Sequence, residues 1–302
     1  MRITVVGYGS IGQRHARLAI GSGHDVCLVT AQNVEGFMTF KDLPTAIHEF
    51  RPNTVIIANE THIHANTLKE LRRLGFSDAV MLEKPVGVKS EEFTSFKNDN
   101  TFVGYNLRFH PVVSKIRSAI SGQNIISISL YVGQNLTKWQ PERDYRMSYR
   151  AKKETGGGVL RDLSHEIDLL IYLVGPIKRV SALVGKKSGL EIQTEDCACV
   201  LAESVAGTFV TFEVNYIDHT SNRYLNVNTD SVSARGNLIS GELVLNGVTE
   251  NYQLDRDTTY ALQLKSLLSD QKGLCTLDEG LQTLSMIEAI EKSAKEESWI
   301  QL

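Results

Sequence analysis

From residue 2 to about residue 105, short apolar runs alternate with stretches whose apolar residues recur every three to four positions. The runs at 2–6, 25–30, 54–58, 79–83 and 101–105 predict strands. Thr54-Val55-Ile56-Ile57-Ala58 is nearly continuous in apolar character, as expected of a strand covered on both faces. Between these runs, 11–20, 43–50 and 62–74 carry helical periodicity, and another helix is expected from about residue 91. Gly21 and Gly23 are placed to end the first helix, Asp42 to cap the second, and Thr61 and Gly75 to bracket the third. Strands and helices alternating at this spacing imply right-handed crossovers and a parallel, doubly wound sheet.

The texture then changes. After a helix near 111–120, strand-like alternation dominates from about 125 to 253, with examples at 125–132, 180–184, 197–201, 208–215 and 224–228. One apolar helix, about 163–174, interrupts it, and two helices near 258–269 and 277–295 close the chain. Period-2 alternation with polar partners predicts a mostly antiparallel sheet with one solvated or interface face. The expected division is 1–106 and 107–302, with no flexible linker and a cleft shared by the two domains.

Length and composition fit this picture. The chain has 302 residues, 42% hydrophobic and 22% charged, an ordinary globular composition long enough for two domains. Thirty-two Lys and Arg against 35 Asp and Glu give a net charge of −3, which argues against a nucleic-acid-coating or membrane-surface protein. No apolar run reaches membrane-spanning length, and Met1 leads at once into a strand rather than an export signal, so the expected location is the cytoplasm. The four cysteines form no C-x-x-C pair and read as reduced thiols.

Candidate chemistry begins at Gly7-Tyr8-Gly9-Ser10-Ile11-Gly12, a G-x-G-x-x-G between the first strand and the first helix. Gly7 allows the tight turn, Gly9 lets a pyrophosphate approach the backbone, and Gly12 lets helix and strand pack closely. The helix N-terminus adds unpaired N–H groups. The second strand ends in Val29-Thr30-Ala31-Gln32, with no acid to take a ribose 2′-hydroxyl. The expected cofactor is therefore NAD or NADP, with a lean to NADP or dual use; Arg14 is a candidate for the 2′-phosphate or a solvated helix residue.

Glu83-Lys84-Pro85 follows the strand at 79–83, and ligands of open α/β sheets lie beyond the carboxyl ends of strands. A lysine desolvated there can take part in proton transfer; otherwise it is a surface residue in a turn. A second cluster opens with Gly156-Gly157-Gly158, whose backbone could approach a ligand, followed by Asp162, His165 and Asp168 at every third position. On one continuous helix these three would share a face, with His165 suited to exchange protons near neutrality. Nothing supplies a convincing third zinc ligand, so no metal is expected. Just upstream, Arg143, Arg146, Arg150, Lys152 and Lys153 lie within eleven positions. They read either as a solvated loop or as an anion clamp in which Arg146 or Arg150 makes bidentate contacts.

Together these motifs resemble the glucose-fructose oxidoreductase / inositol dehydrogenase (Gfo/Idh/MocA) family over nearly the whole chain. Thr61-His62-Ile63-His64-Ala65, Val103-Gly104-Tyr105-Asn106-Leu107-Arg108-Phe109, and the tail from Thr276 through Ala294 are similar to further family segments. The resemblance implies an N-terminal Rossmann domain and a C-terminal α+β domain with a large, mostly antiparallel open sheet that often forms a subunit interface. A homodimer or homotetramer is then expected. It implies Lys84, Asp162 and His165 as catalytic residues. The expected cofactor contacts are the Gly7–Gly12 turn (with Tyr8, Gly9, Ser10 and Ile11), Thr30, Asn59, His64, Glu83 and Lys84. The expected substrate contacts are Asn106, Arg108, Arg146, Arg150, Asp162 and His165. One departure stands out: the family has three residues between its Asp and His, and here there are two, Leu163 and Ser164.

The activity implied is NAD(P)-linked hydride transfer to or from a secondary alcohol or ketone carbon of a sugar, polyol or sugar derivative. The Asp-Leu-Ser-His-Glu pattern is similar to members associated with bacterial surface-sugar pathways, so acidic or nucleotide-linked sugars are among the expected substrates. Two alternatives remain: a non-catalytic NAD(P)-binding sensor or regulator on the same fold, and reduction of a C=N or C=C bond with Lys84 as proton donor.

Overall fold

A computed structural model describes residues 1–96, 100–139, 142, 144–154 and 156–302. Two compact units result: 1–106 with 257–281, and 107–256 with 282–302. The division expected at 106/107 thus omitted the return of residues 257–281 to the first unit.

The first unit begins β1 (Arg2–Val6), α1 (Ser10–Gly21), β2 (Asp25–Val29), β3 (Met38–Phe40), α2 (Leu43–Phe50) and β4 (Thr54–Ile57). It continues with α3 (His64–Arg73), β5 (Val80–Leu82) and β6 (Thr101–Val103). Asp42 caps α2 as expected, its Oδ1 accepting the Thr45 N–H at 2.9 Å. Gly75, at φ 78°, ends α3 in the left-handed conformation that a side chain resists. The helix expected from residue 91 is instead a 3₁₀ stretch, Ser90–Phe96. The three-residue β3 escaped notice because so short a segment shows no period.

In the second unit come α4 (Pro111–Ala119), β7 (Ile125–Gly133), α5 (Leu136–Trp139), α6 (Val159–Asp162), α7 (His165–Val174) and β8 (Ile177–Gly185). Then follow β9 (Cys197–Ser204), β10 (Phe209–Asn215), β11 (Asn222–Thr229), β12 (Ser233–Asn237), β13 (Glu242–Leu245) and β14 (Val248–Asn251). The chain re-enters the first unit through α8 (Thr258–Leu267) and the short β15 (Cys275–Thr276), and closes with α9 (Leu277–Glu296) and β16 (Ile300–Gln301).

In the first sheet the order is β15-β6-β5-β4-β1-β2-β3, parallel except for β15. Val55, Ile56 and Ile57 are all fully buried, as a doubly covered strand requires. The second sheet runs β14-β13-β12-β11-β7-β10-β9-β8-β16 and is antiparallel apart from the β10–β7 pair. One of its faces is buried in a core with Val112 and Ile116 of α4 and Ile167 and Leu170 of α7. Large hydrophobic residues exposed on its strands include Leu183, Leu201 and Phe209. No helix among the described residues is long and apolar enough to cross a membrane.

Candidate active site

Register places the first group of residues. Val6, Ile57, Leu82 and Val103 form the last paired row across β1, β4, β5 and β6. Two positions farther along each strand stand Tyr8, Asn59, Lys84 and Tyr105. The helices that follow β1 and β4 start beside this row, where open parallel sheets carry their ligands.

Gly7 turns the chain at φ 93°, and a Cβ there would lie 2.7 Å from the Ala58 oxygen and the Asn59 nitrogen. At Gly12 a Cβ would lie 2.2 Å from the Gly7 oxygen, so only glycine lets α1 approach its strand this closely. Gly9 differs: nothing lies within 4 Å of its missing Cβ, and it caps α1 without a side-chain hydrogen bond. Space is thus open beside Gly9 at the positive end of α1, a fit for the pyrophosphate of a dinucleotide. Thr30, at the end of β2, is buried, and its hydroxyl accepts the Gln32 N–H at 3.2 Å. Lys41, which sequence reasoning missed, donates to the Ala31 carbonyl at 3.0 Å and so brings a cation to that loop. Arg14 is committed elsewhere, to Asp257 at 3.2 Å and over the Tyr260 ring at 4.6 Å, which removes it as a phosphate candidate.

Asn59 donates to the Thr67 hydroxyl at 2.9 Å. His64 is buried, with Nδ1 at 3.1 Å from the Val86 carbonyl and Nε2 at 3.2 Å from that of Asn59. Burial holds its pKa below the usual histidine value, outweighing the two carbonyls and Glu83, which pull the other way. His64 thus lies between the loop after β4 and the turn after β5, and with a single N–H the neutral ring donates to only one of the two carbonyls. Within that turn the Lys84–Pro85 bond is cis. Glu83 is buried; its Oε1 lies 2.6 Å from His15 Nε2 and its Oε2 accepts the Lys84 N–H at 3.2 Å. Sequence reasoning missed His15, although it sits three positions after Gly12 on the buried face of α1, with Ala16 and Ala19.

The second group lies in the other unit. Asp162 is buried at the end of α6 and His165 opens α7, with the helix interrupted at Leu163 and Ser164. The single face expected for Asp162, His165 and Asp168 is therefore not formed. Asp168 is instead buried against Arg108, whose Nε and Nη2 reach its oxygens at 2.9 and 2.7 Å. Arg108, expected at the substrate, thus belongs to an internal ion pair and also lies 4.5 Å from the Tyr172 ring centre. Asn106, in the first unit, donates to the Thr259 hydroxyl at 2.6 Å.

Asp162 is gripped by three groups. Its Oδ2 accepts Arg150 Nε at 2.7 Å and the Tyr216 hydroxyl at 3.3 Å, and its Oδ1 accepts the Tyr149 hydroxyl. Burial pushes the Tyr216 phenol well above its ordinary value, and the Asp162 charge pushes the same way. Burial opposes the Arg150 charge, but Asp162 and Tyr149 outweigh it and keep the guanidinium protonated. Arg150 also lies 4.6 Å from the Trp139 ring and 4.8 Å from that of Tyr149. Arg146 is exposed and paired with Asp144 at 2.8 Å and Glu191 at 2.8 Å. The two arginines expected to clamp an anion are thus neutralised within the chain. Arg143 lies outside the described residues.

Two of the glycines before Asp162 are closely packed. A Cβ at Gly157 would lie 2.2 Å from the Tyr149 carbonyl, and one at Gly158 2.1 Å from Glu195 Oε1. Gly157 and Gly158 thus leave room for the Tyr149 carbonyl and the Glu195 carboxylate. Among the described residues no cluster of His, Cys, Asp or Glu could hold a metal ion.

Comparisons with known proteins agree with this architecture. Residues 113–235 match the model of the GFO/IDH/MocA C-terminal domain. No curated protein matches the chain. Among solved structures, levoglucosan dehydrogenase in complex with NADH is 19% identical at a TM-score of 0.86, covering 100% of this chain and 98% of the other. The WlbA dehydrogenase from Bordetella pertussis, in complex with NADH and UDP-GlcNAcA, is 20% identical at 0.81, covering 100% and 97%. GenD2 from gentamicin A biosynthesis, in complex with NAD, is 18% identical at 0.82, covering 100% and 96%. At these identities the likeness is one of fold. What these findings show is a C-terminal segment similar to the GFO/IDH/MocA C-terminal domain and, over the whole chain, the fold of these dehydrogenases.

Proposed function

We propose that the protein is an NAD(P)-dependent oxidoreductase that moves hydride to or from a secondary alcohol or ketone carbon of a sugar, polyol or sugar derivative. The observation that carries this reading is the row beyond the parallel strands: an open, glycine-capped helix end follows β1, and Lys84 follows β5. Complexes of structural neighbours with NADH support it.

A bound nicotinamide supplies the hydride acceptor or donor. Gly7, Gly9 and Gly12 admit the pyrophosphate, and Thr30 and Asn59 follow β2 and β4, the strands on either side of β1. In the oxidation direction the carbinol carbon gives up hydride and its hydroxyl gives up a proton. The Lys84 amine takes part at that oxygen, as the proton acceptor or as the cation that polarises it while negative charge develops. Asp162 is placed to hold Tyr149, Arg150 and Tyr216 in one arrangement.

NADP or dual use is supported by the absence of an acid at Thr30-Ala31-Gln32 and by Lys41 at the same loop. The internal pairing of Arg146 and Arg150 supports a neutral sugar or polyol over an acidic or nucleotide-linked one. Leu183, Leu201 and Phe209, exposed on the second sheet, support assembly into a homodimer or homotetramer.

Titrating the purified chain with NADH and NADPH, then following cofactor oxidation or reduction with a panel of neutral polyols, sugars and nucleotide-linked sugars, tests the reading. Binding with turnover on a polyol or sugar is expected. Binding of neither cofactor would refute it, and binding without turnover on the full panel would favour a sensor.

A further inference from the structure

We propose that His15 is a positioning residue for Lys84, holding the lysine's strand end to the dinucleotide-binding helix through Glu83. This inference rests on the reading of Lys84 as the reacting amine and goes beyond it, because His15 is placed to touch neither substrate nor cofactor.

His15 is fully buried on α1, one turn after the glycine turn. A carboxylate only accepts, so Nε2 carries the proton in its 2.6 Å contact with Glu83 Oε1. Among the described residues, buried His15 Nδ1 has no hydrogen-bond partner, and the ring's polar contact is with Glu83. The other carboxylate oxygen accepts the backbone N–H of Lys84 at 3.2 Å. Glu83 thereby joins α1 to the first peptide of the lysine turn.

The surroundings leave the carboxylate little choice of position. A Cβ at Gly104, on the neighbouring strand end, would lie 2.7 Å from Glu83 Oε1. Gly104 therefore makes room for the carboxylate to stay against His15. Tyr260 of α8 also meets the His15 ring edge-on, at 6.0 Å and 73°. Farther along the turn, His64 Nδ1 lies 3.1 Å from the Val86 carbonyl. A buried imidazole thus lies at each end of the lysine turn, and His15 is the one that reaches it from the helix that bears the glycine cap. A cofactor seated on the N-terminus of α1 would find Lys84 already set by that same helix.

Full-length wild type is compared with His15→Leu, His15→Gln and Gly104→Ala. Gln keeps an Nε2 donor, and Ala at 104 displaces the carboxylate without touching His15. Three properties are read: NADH affinity by fluorescence, amide exchange at Lys84, and the response of the Lys84 ammonium to NADH, assigned with Lys84→Met by NMR of isotopically methylated lysines. His15→Leu and Gly104→Ala should bind NADH within about threefold of wild type. Exchange at Lys84 should quicken about tenfold in both variants. In both, the ammonium should lose its response to NADH, while His15→Gln keeps wild-type behaviour. Wild-type exchange and response in His15→Leu would overturn the proposal. Faster exchange with the response retained would reduce His15 to a packing residue and overturn it equally. If Lys84→Met kept full turnover, the reading of Lys84 would fall instead, with the exchange result unaffected.

Discussion

Arg108 and Asp168, sixty residues apart, form a two-pronged ion pair with both side chains almost wholly buried: Nε and Nη2 of the guanidinium reach the carboxylate at 2.9 and 2.7 Å. Such a pair is stable only while both partners are present, since either charge alone is stranded in a poor solvent. Asp168→Ala should cost about 3–5 kcal/mol in denaturant unfolding, and the double replacement Arg108→Met/Asp168→Leu should recover most of it. Equal losses in the single and double variants would contradict this account of the pair.

Arg146 and Arg150 look alike in the sequence, yet the structure separates them. Arg146 pairs with Asp144 and Glu191 in the open, whereas Arg150 is the cation beside buried Asp162. Arg146→Ala should change stability by no more than about 1 kcal/mol. Arg150→Met should cost about 3 kcal/mol, because it deprives a buried carboxylate of its cation. Parallel urea titrations of the two variants check the difference.

His110 gives the fold a defined acid response. It caps α4, its Nδ1 accepting the Val112 N–H at 3.2 Å, a role open only to the unprotonated nitrogen. Burial draws its pKa down to about 4, and Arg223 adds to this against the opposing Leu238 carbonyl. The folded value lies below the unfolded one near 6.5, so the unfolded chain binds the proton first. The stabilisation is complete above about pH 6.5 and declines as pH falls toward 4, by up to about 3 kcal/mol. His110→Asn keeps a capping acceptor and removes the titration. Its unfolding free energy should therefore vary less than the wild type's between pH 6.5 and 4.

Lys41 should govern the choice between cofactors. Its ammonium, now on the Ala31 carbonyl at 3.0 Å, lies on the loop that follows β2. Lys41→Ala should weaken NADPH binding about tenfold, the worth of one charge-assisted contact, with NADH unchanged. Equal losses for both cofactors would remove Lys41 from this role.

Local patterns made much of this molecule legible. The glycine turn, Asp42 and the unbroken run 54–58 act through neighbours in sequence, so their consequences could be read there. Arg108, Asp168, Asp162 and Glu83 could not, because each is defined by a partner remote in the chain. The basic stretch before the glycines shows the limit well: charge density is visible in sequence, but its neutralisation by Glu191 and Asp162 depends on folding. His15 lay within reach, since a histidine among the small residues Gly12, Ala16 and Ala19 on the buried face of α1 needs a buried partner. Residues 257–281 carried no local signal that they return to the first unit.

Lys84→Met is the most direct test of the central claim. The substitution keeps the stem's bulk and removes the amine, leaving the open end of α1 and its glycines intact. Bound to NADH or NADPH and assayed on any sugar or polyol the wild type turns over, the variant should retain wild-type cofactor affinity and lose at least about a thousandfold in kcat. Unaltered kcat with unaltered affinity would contradict the claim that this amine serves the reaction.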